Sequence, residues 1–210
     1  ARLAGARDLG HVRQGKCKSR LVAAYLAGFD WGLSHDYGVL VEMDADLSQQ
    51  PEQLPAVMSA LQHADMVKGS RYVSGGSVVN WPKSREFISR GGGTWTRLML
   101  GIDVKDPTGG FNAFRASTLR TINLATVDSA GYCFQLDMTW RVLKAGGVVA
   151  EVPITFVERE RGASKMSKDI VVEAMAQTTR WGVEHRAKQV SHVADKLAGK
   201  ASEVIKQFRR

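Results

Sequence analysis

Gly38-Val39-Leu40-Val41-Glu42-Met43-Asp44-Ala45-Asp46 is the stretch on which the fold turns. Its apolar run reads as a strand, and the strand ends at Asp44. Upstream, residues 20–33 carry apolar side chains at helical spacing. Downstream, Gln53 to His63 reads as a helix and Asp65 to Lys68 opens a second strand. A strand, a helix and a strand in this order predict a crossover connection and a largely parallel sheet covered by helices. Residues 84–100 and 131–145 read as helices, and Val148 to Val157 as a strand that Pro153 interrupts, hence an edge or bulged strand. Beyond Ser167 the pattern is helical to the end. In such α/β folds ligands sit beyond the carboxyl ends of the strands, so the polar residues after each strand are where chemistry is expected.

The composition supports one globular domain. The chain has 210 residues, 44% apolar and 24% charged, enough for a sizeable core. The balance is basic, with a net charge of +8, which favours an anionic partner such as a phosphate ligand or an acidic membrane surface. Nucleic acid is not expected, because no nucleic-acid motif or interleaved basic-aromatic run accompanies the charge. Cys17 and Cys133 match no metal spacing and read as reduced thiols, Cys133 buried. No run of apolar residues is long enough to span a bilayer. Ala1-Arg2-Leu3-Ala4 has no Met and no signal-peptide core, and reads as the interior of a helix.

Four segments carry candidate chemistry. Asp44 and Asp46 are alternate residues of an extended segment and share one side, which suits a hard divalent cation bridging to phosphates. The plain alternative is a cap, with Asp46 or Ser48 opening the helix near Pro51. Lys68-Gly69-Ser70-Arg71-Tyr72 follows the second strand, and a turn with arginine suits an anion site. Arg85 and Ser89, four residues apart, share a helix face. Asp106-Pro107-Thr108-Gly109-Gly110-Phe111 is a tight loop whose backbone can approach a ligand closely. Glu158 to Lys165 leaves a strand, with Arg161 and Lys165 flanking Gly162, and such a loop can close over a leaving diphosphate. A solvated basic surface, a plain turn and an exposed charged loop are the corresponding alternatives.

The order of these segments resembles a family. Met43-Asp44-Ala45-Asp46-Leu47 with Pro51-Glu52, Gly69-Ser70-Arg71-Tyr72, Asn80-Trp81-Pro82, Arg85 to Ser89, Asp106 to Phe111, Glu151 to Phe156 and Gly162 to Lys165 look like dolichol- and polyprenol-phosphate mannose synthases of the actinobacterial type. The likeness runs over about residues 20–182. It implies the Rossmann-like GT-A fold of glycosyltransferase family 2, and inverting, metal-dependent transfer of mannose from GDP-mannose to a polyprenyl or dolichyl monophosphate. By this resemblance Asp44, Ala45 and Asp46 contact the nucleotide diphosphate, and Asp44 and Asp46 hold Mg²⁺ or Mn²⁺. Ser48 stands where the family can place a third metal-side ligand, and a hydroxyl is a weaker one than a carboxylate or amide. Arg71, Arg85 and Ser89 hold the acceptor phosphate, and Arg161 and Lys165 the diphosphate. Asp46, Arg71, Arg85 and Arg161 are the residues expected to act in catalysis. Gln135 and Asp137 lie where related enzymes keep an acidic residue.

Family members usually open with a Pro-x-Tyr-Asn-Glu-like strand and an Asp-Asp-Gly-Ser-like segment that bind the nucleotide. Neither occurs here, and Arg20-Leu21-Val22 stands where Gly-Leu-Gly is common. Residues 1–182 therefore read as a catalytic domain lacking its first strand and nucleotide-binding front, and a poor enzyme as given. The alternatives are a non-catalytic remnant of the same fold and a polyprenyl-phosphate glucosyltransferase. Gln177, Arg180 and Trp181 match a motif of processive synthases, which need membrane spans that this chain lacks. Residues 183–210, with seven Lys or Arg against three acidic residues, read as a basic amphipathic helix. It is expected to lie on the inner face of the cell membrane or against a membrane-embedded partner protein, with a helix packed on its own domain as the plain alternative.

Overall fold

A computed structural model describes residues 21–127, 132–158, 172 and 174–187. The first helix, α1 (Leu21–Ser34), leads into β1 (Val39–Glu42). Then come α2 (Leu54–Ala60), β2 (Met66–Ser70), β3 (Ser77–Val79) and α3 (Lys83–Leu100). The chain continues through β4 (Asn112–Arg115), α4 (Ala116–Thr121), α5 (Tyr132–Lys144), β5 (Val149–Pro153) and β6 (Thr155–Val157). A last helix, α6, covers residues 174–187.

The main sheet has the order β1-β4-β2-β5. β1, β2 and β5 point the same way, and β4 lies antiparallel between β1 and β2. The α/β class holds: three of the four strands run the same way, and the antiparallel β4 makes the sheet mixed. β4 is a strand the sequence pattern does not advertise: Asn-Ala-Phe-Arg holds only two apolar residues. Its partners supply the reason. Ala113 sits opposite both Val41 and Val67, where a small side chain fits a central position, and Phe114 projects to the other face.

Strand alternation divides the core into two layers. On one face Met66 of β2 and Phe114 of β4 pack with Phe29 of α1 and Phe134, Met138 and Val142 of α5. Phe29 meets Phe114 edge-on at 5.5 Å, and Tyr25 stacks on Phe134 at 5.7 Å. On the other face Val67 and Ala113 pack with Val57 and Leu61 around α2, and with Phe111 and Ile154. Cys133 is buried.

Pro153 ends β5, and the chain resumes at Thr155 in a different sheet, where β6 runs parallel to β3. Val157 donates its N–H to the Ser48 carbonyl at 2.9 Å, and Phe156 bridges to Gln49. β6 is thus held between β3 on one side and the segment after Asp46 on the other. The turn that returns the chain from β2 to β3 needs Gly76, since a Cβ there would lie 2.5 Å from the Ser70 carbonyl oxygen. Among the described residues no helix is long and apolar enough to cross a membrane.

Candidate active site

The carboxyl end of β1 places Asp44 and Asp46 partly in solvent. Gln49 clamps Asp44 at both ends: its Oε1 accepts the Asp44 backbone N–H at 2.9 Å, and its Nε2 donates to Asp44 Oδ2 at 3.2 Å. Asp46 Oδ1 accepts the Ser48 backbone N–H at 3.1 Å, a tight turn that holds Leu47 at a positive φ of 65°. Neither Asp46 nor Ser48 caps a helix. The 3₁₀ turn Pro51–Gln53 begins from Gln50 with no side-chain cap, so the helix-cap alternative does not describe this loop. Ser48 Oγ is buried and has no hydrogen-bond partner among the described residues. Tyr25 hydrogen-bonds Asp44, and its phenol is held well above its usual pKa by burial first and then by the charges of Asp44 and Glu42.

A second pole forms where β2 ends. Arg71 is buried and paired bidentately with Asp106, Nε to Oδ2 at 2.7 Å and Nη2 to Oδ1 at 2.6 Å. Its guanidinium lies 5.0 Å from the Tyr72 ring and 5.3 Å from the Trp81 ring. Arg85 stacks on Trp81 at 4.0 Å and pairs with Glu158. Tyr72 Oη donates to Ser89 Oγ at 2.6 Å, which closes the cluster. Two buried donors here, Trp81 Nε1 and Arg85 Nε, have no acceptor among the described residues. Arg71, Arg85 and Ser89, scattered over 19 residues of sequence, thus surround one aromatic group.

The Asp106–Phe111 loop joins the poles. Asp106 holds Arg71 at one end. At the other, a Cβ on Gly110 would lie 3.6 Å from Gln49 Nε2 and 3.7 Å from Asp44 Oδ2, so the loop backbone runs close along the Asp44 side. Glu151 fixes the start of the loop by accepting the N–H groups of Lys105 and Asp106 at 2.7 and 2.9 Å.

Beneath lies a polar network that the sequence reading missed. Lys68, expected in an anion site, is instead fully buried and donates to Asn112 Oδ1 at 2.7 Å and the Gly109 carbonyl at 3.2 Å. Position within β2 decides this: Lys68 lies in register with Asn112 of β4 and Glu151 of β5, on a covered face of the sheet. Asn112 donates to Glu42, to the Gly109 carbonyl and to Gln135 Oε1. Burial raises the Glu42 carboxyl to about 7 against the pull of Asn112 and Lys68, and lowers the Lys68 ammonium to about 8. The one sequence signal for this network was a lone charge in each of two short apolar strands, Glu42 and Lys68.

Gln135 belongs to this site through Asn112 and Gly110. Asp137 does not: it pairs with Arg141 at 2.8 Å and lines a separate cavity of about 300 Å³ with Trp140 and Trp181. Trp181 also packs against the Leu100, Ile102 and Trp140 cluster, so the Trp of the synthase-like motif serves packing. Arg161, Lys165, Cys17 and residues 188–210 lie outside the described residues. Among the described residues no group of three His, Cys, Asp or Glu is arranged for a metal ion.

A sequence profile for "Glycosyl transferase family 2" matches residues 3–122. The chain belongs to glycosyl transferase family 2. Curated relatives agree with this family 2 assignment. The undecaprenyl-phosphate mannosyltransferase of Micrococcus luteus is 54% identical over 84% of this chain and 72% of its own length. The polyprenol monophosphomannose synthase of Mycolicibacterium smegmatis is 51% identical over 85% of this chain and 68% of its own. Among solved structures, glucosyl-3-phosphoglycerate synthase from Mycobacterium tuberculosis matches with a TM-score of 0.51 at 17% identity, over 80% of this chain and 56% of that one. At that identity the likeness speaks for the glycosyltransferase fold, and this chain spans little more than half of that enzyme.

Proposed function

We propose that this site transfers mannose from GDP-mannose to a polyprenyl monophosphate of the undecaprenyl or dolichyl kind, with inversion, using Mg²⁺ or Mn²⁺. The observation that carries the reading is the pair of buried donors without acceptors among the described residues, Arg85 Nε and Trp81 Nε1, on the same aromatic cluster as Ser89. Buried donors are rarely left unsatisfied, and a phosphate brings the missing acceptors. The names of the two actinobacterial relatives point to the same acceptor class.

Chemistry follows from the acceptor. A phosphate monoester is largely dianionic at neutral pH, so one of its oxygens is already a nucleophile and no general base is required. That oxygen bonds to the sugar C1 from the side opposite GDP, the C1–O bond to GDP breaks, and the electron pair leaves with the diphosphate. Arg85 holds the acceptor and must exchange Glu158 for it. Arg71, already neutralised by Asp106, fixes the shape of the pocket and the loop that passes Asp44.

The donor side fits a divalent ion that takes its remaining ligands from the nucleotide. Asp44 and Asp46 are partly exposed, and the Ser48 hydroxyl two residues on is buried with no hydrogen-bond partner among the described residues. When bound, the ion neutralises charge developing on the departing diphosphate. Arg161 and Lys165 are assigned to the same diphosphate, and Ala45 to its backbone contacts. Residues 1–182 form the catalytic unit in this reading and residues 183–210 a basic helix. The protein works at the cytoplasmic face of the cell membrane, where its acceptor is anchored.

The test is transfer of labelled mannose from GDP-mannose to undecaprenyl phosphate with Mg²⁺ or Mn²⁺. Label should enter the lipid phase, EDTA should abolish it, and Arg85→Ala should strongly reduce it. Transfer from UDP-glucose in place of GDP-mannose would assign the glucosyl alternative and overturn the donor.

A further inference from the structure

We propose that Lys68 is a positioning residue for transfer: a polar rung across the sheet, Glu42, Asn112, Lys68 and Glu151, holds the Asp106–Phe111 loop so that the donor and acceptor poles keep their spacing. The inference rests on the mannosyl-transfer reading of the site.

The rung follows from the register. Glu42 of β1 lies opposite Asn112 of β4, Asn112 opposite Lys68 of β2, and Lys68 opposite Glu151 of β5. Partners in register share a face, so one polar row crosses all four strands. One rung back, towards the amino ends of β1, β2 and β5, the same face carries Leu40, Phe114, Met66 and Val149, which pack in the core. In the other direction, two residues beyond Glu42, stands Asp44. The polar rung is therefore the boundary between core and site. Glu42, Asn112 and Lys68 are all buried. A second apolar rung would fill this place without desolvating two charges. What it would lack is directional bonds to the loop above.

Those bonds reach the loop at two points. Glu151 accepts the N–H groups of Lys105 and Asp106 where the loop begins. In its middle, the Gly109 carbonyl accepts Lys68 Nζ at 3.2 Å and Asn112 Nδ2 at 3.0 Å. Asp106, at the first point, grips Arg71 of the acceptor pole. Gly110, beside the second, passes close to Asp44 of the donor pole. Lys68 also sets the Asn112 amide. An ammonium only donates, so it takes Asn112 Oδ1 at 2.7 Å and leaves Nδ2 to Glu42, Gly109 and Gln135. Without Lys68 the Gly109 carbonyl loses one donor, and nothing fixes which way the amide presents the other. Lys68 is itself fully buried, so it acts on the reaction through the loop.

The experiment compares Lys68→Met with the double variant Lys68→Met, Glu42→Gln. Methionine fills much of the same volume and donates nothing. The single variant leaves Glu42 buried without its cation and should have a lowered thermal midpoint. The double variant removes both charges and should regain most of that midpoint, while Gly109 still lacks its donor. With GDP-mannose and undecaprenyl phosphate, kcat should fall about tenfold or more in both variants, because small displacements of reacting groups are costly. KM for each substrate should stay within about twofold of the parent value. Recovery of kcat together with the midpoint in the double variant overturns the proposal and leaves Lys68 a structural residue. So does a loss confined to KM. A second arm needs no turnover. Hydrogen exchange at the backbone amides of residues 109–111 should quicken in the double variant relative to those of β2, and unchanged loop rates overturn the proposal. If the parent protein transfers no mannose, the transfer reading falls, and exchange still judges the hold of Lys68 on the loop.

Discussion

Arg71 and Asp106 lie side by side as a fork, and Asp106 Oδ2 also accepts the Arg71 backbone N–H at 3.0 Å. Burial alone would raise the Asp106 carboxyl. The charge and hydrogen bonds of Arg71 outweigh it and hold the group below the usual carboxylate range. Asp106→Asn leaves a buried guanidinium without its counter-charge, which costs about 3–5 kcal/mol. A urea titration should show a lowered midpoint at an unchanged slope. Arg71→Lys should also destabilise, because an ammonium cannot reproduce two parallel donors. The depressed pKa means that the contribution of Asp106 is complete above its unfolded value and is lost as pH falls through the folded one.

Glu42 gives the opposite slope. Its carboxyl is raised by burial from 4.5 to about 7, so between those values the folded state holds a proton that the unfolded state has released. Stability from this group is full below 4.5 and declines as pH rises towards 7. Glu42→Gln keeps an acceptor for Asn112 and removes the ionisation. Thermal midpoints across that window should fall with pH in the parent relative to the variant. Parallel curves would show that Lys68 keeps Glu42 ionised throughout.

Asp46 is partly exposed and accepts the Ser48 backbone N–H in a tight turn. Asp46→Ala should leave the thermal midpoint nearly unchanged and abolish metal-dependent transfer. Turnover like that of the parent, or turnover indifferent to EDTA, would remove Asp46 from the donor site.

Glu158 competes with any anion for Arg85. Glu158→Gln should lower KM for the lipid phosphate several-fold and leave KM for the sugar nucleotide unchanged. Arg85→Ala should lose on the order of 2–4 kcal/mol of transition-state stabilisation, read as kcat/KM for the acceptor. An effect confined to the nucleotide would place Arg85 on the other side of the reaction.

Gln135 and Asp137 sit on one helix and in two environments. Gln135→Ala removes one of the three acceptors of the Asn112 amide, beside Gly110, and should slow transfer. Asp137→Asn breaks the pair with Arg141 and should affect stability alone. Equal losses of kcat in both variants would contradict this division.

The sequence by itself determined several of the elements and the order of the motifs. An apolar run ending in Asp44, helices at Leu21–Ser34, Lys83–Leu100 and Tyr132–Lys144, and the break at Pro153 all follow from local periodicity and backbone chemistry. Tertiary structure decided what has no local signature. Asn112–Arg115 is a strand because two neighbours pair with it, since its own residues specify little. Lys68 is buried and Gln135 joins the site while Asp137 leaves it, because burial is set by what packs opposite a residue. The same reason governs Arg71. Its sequence context marks an anion site, and only the fold brings Asp106, 35 residues away, to occupy its guanidinium.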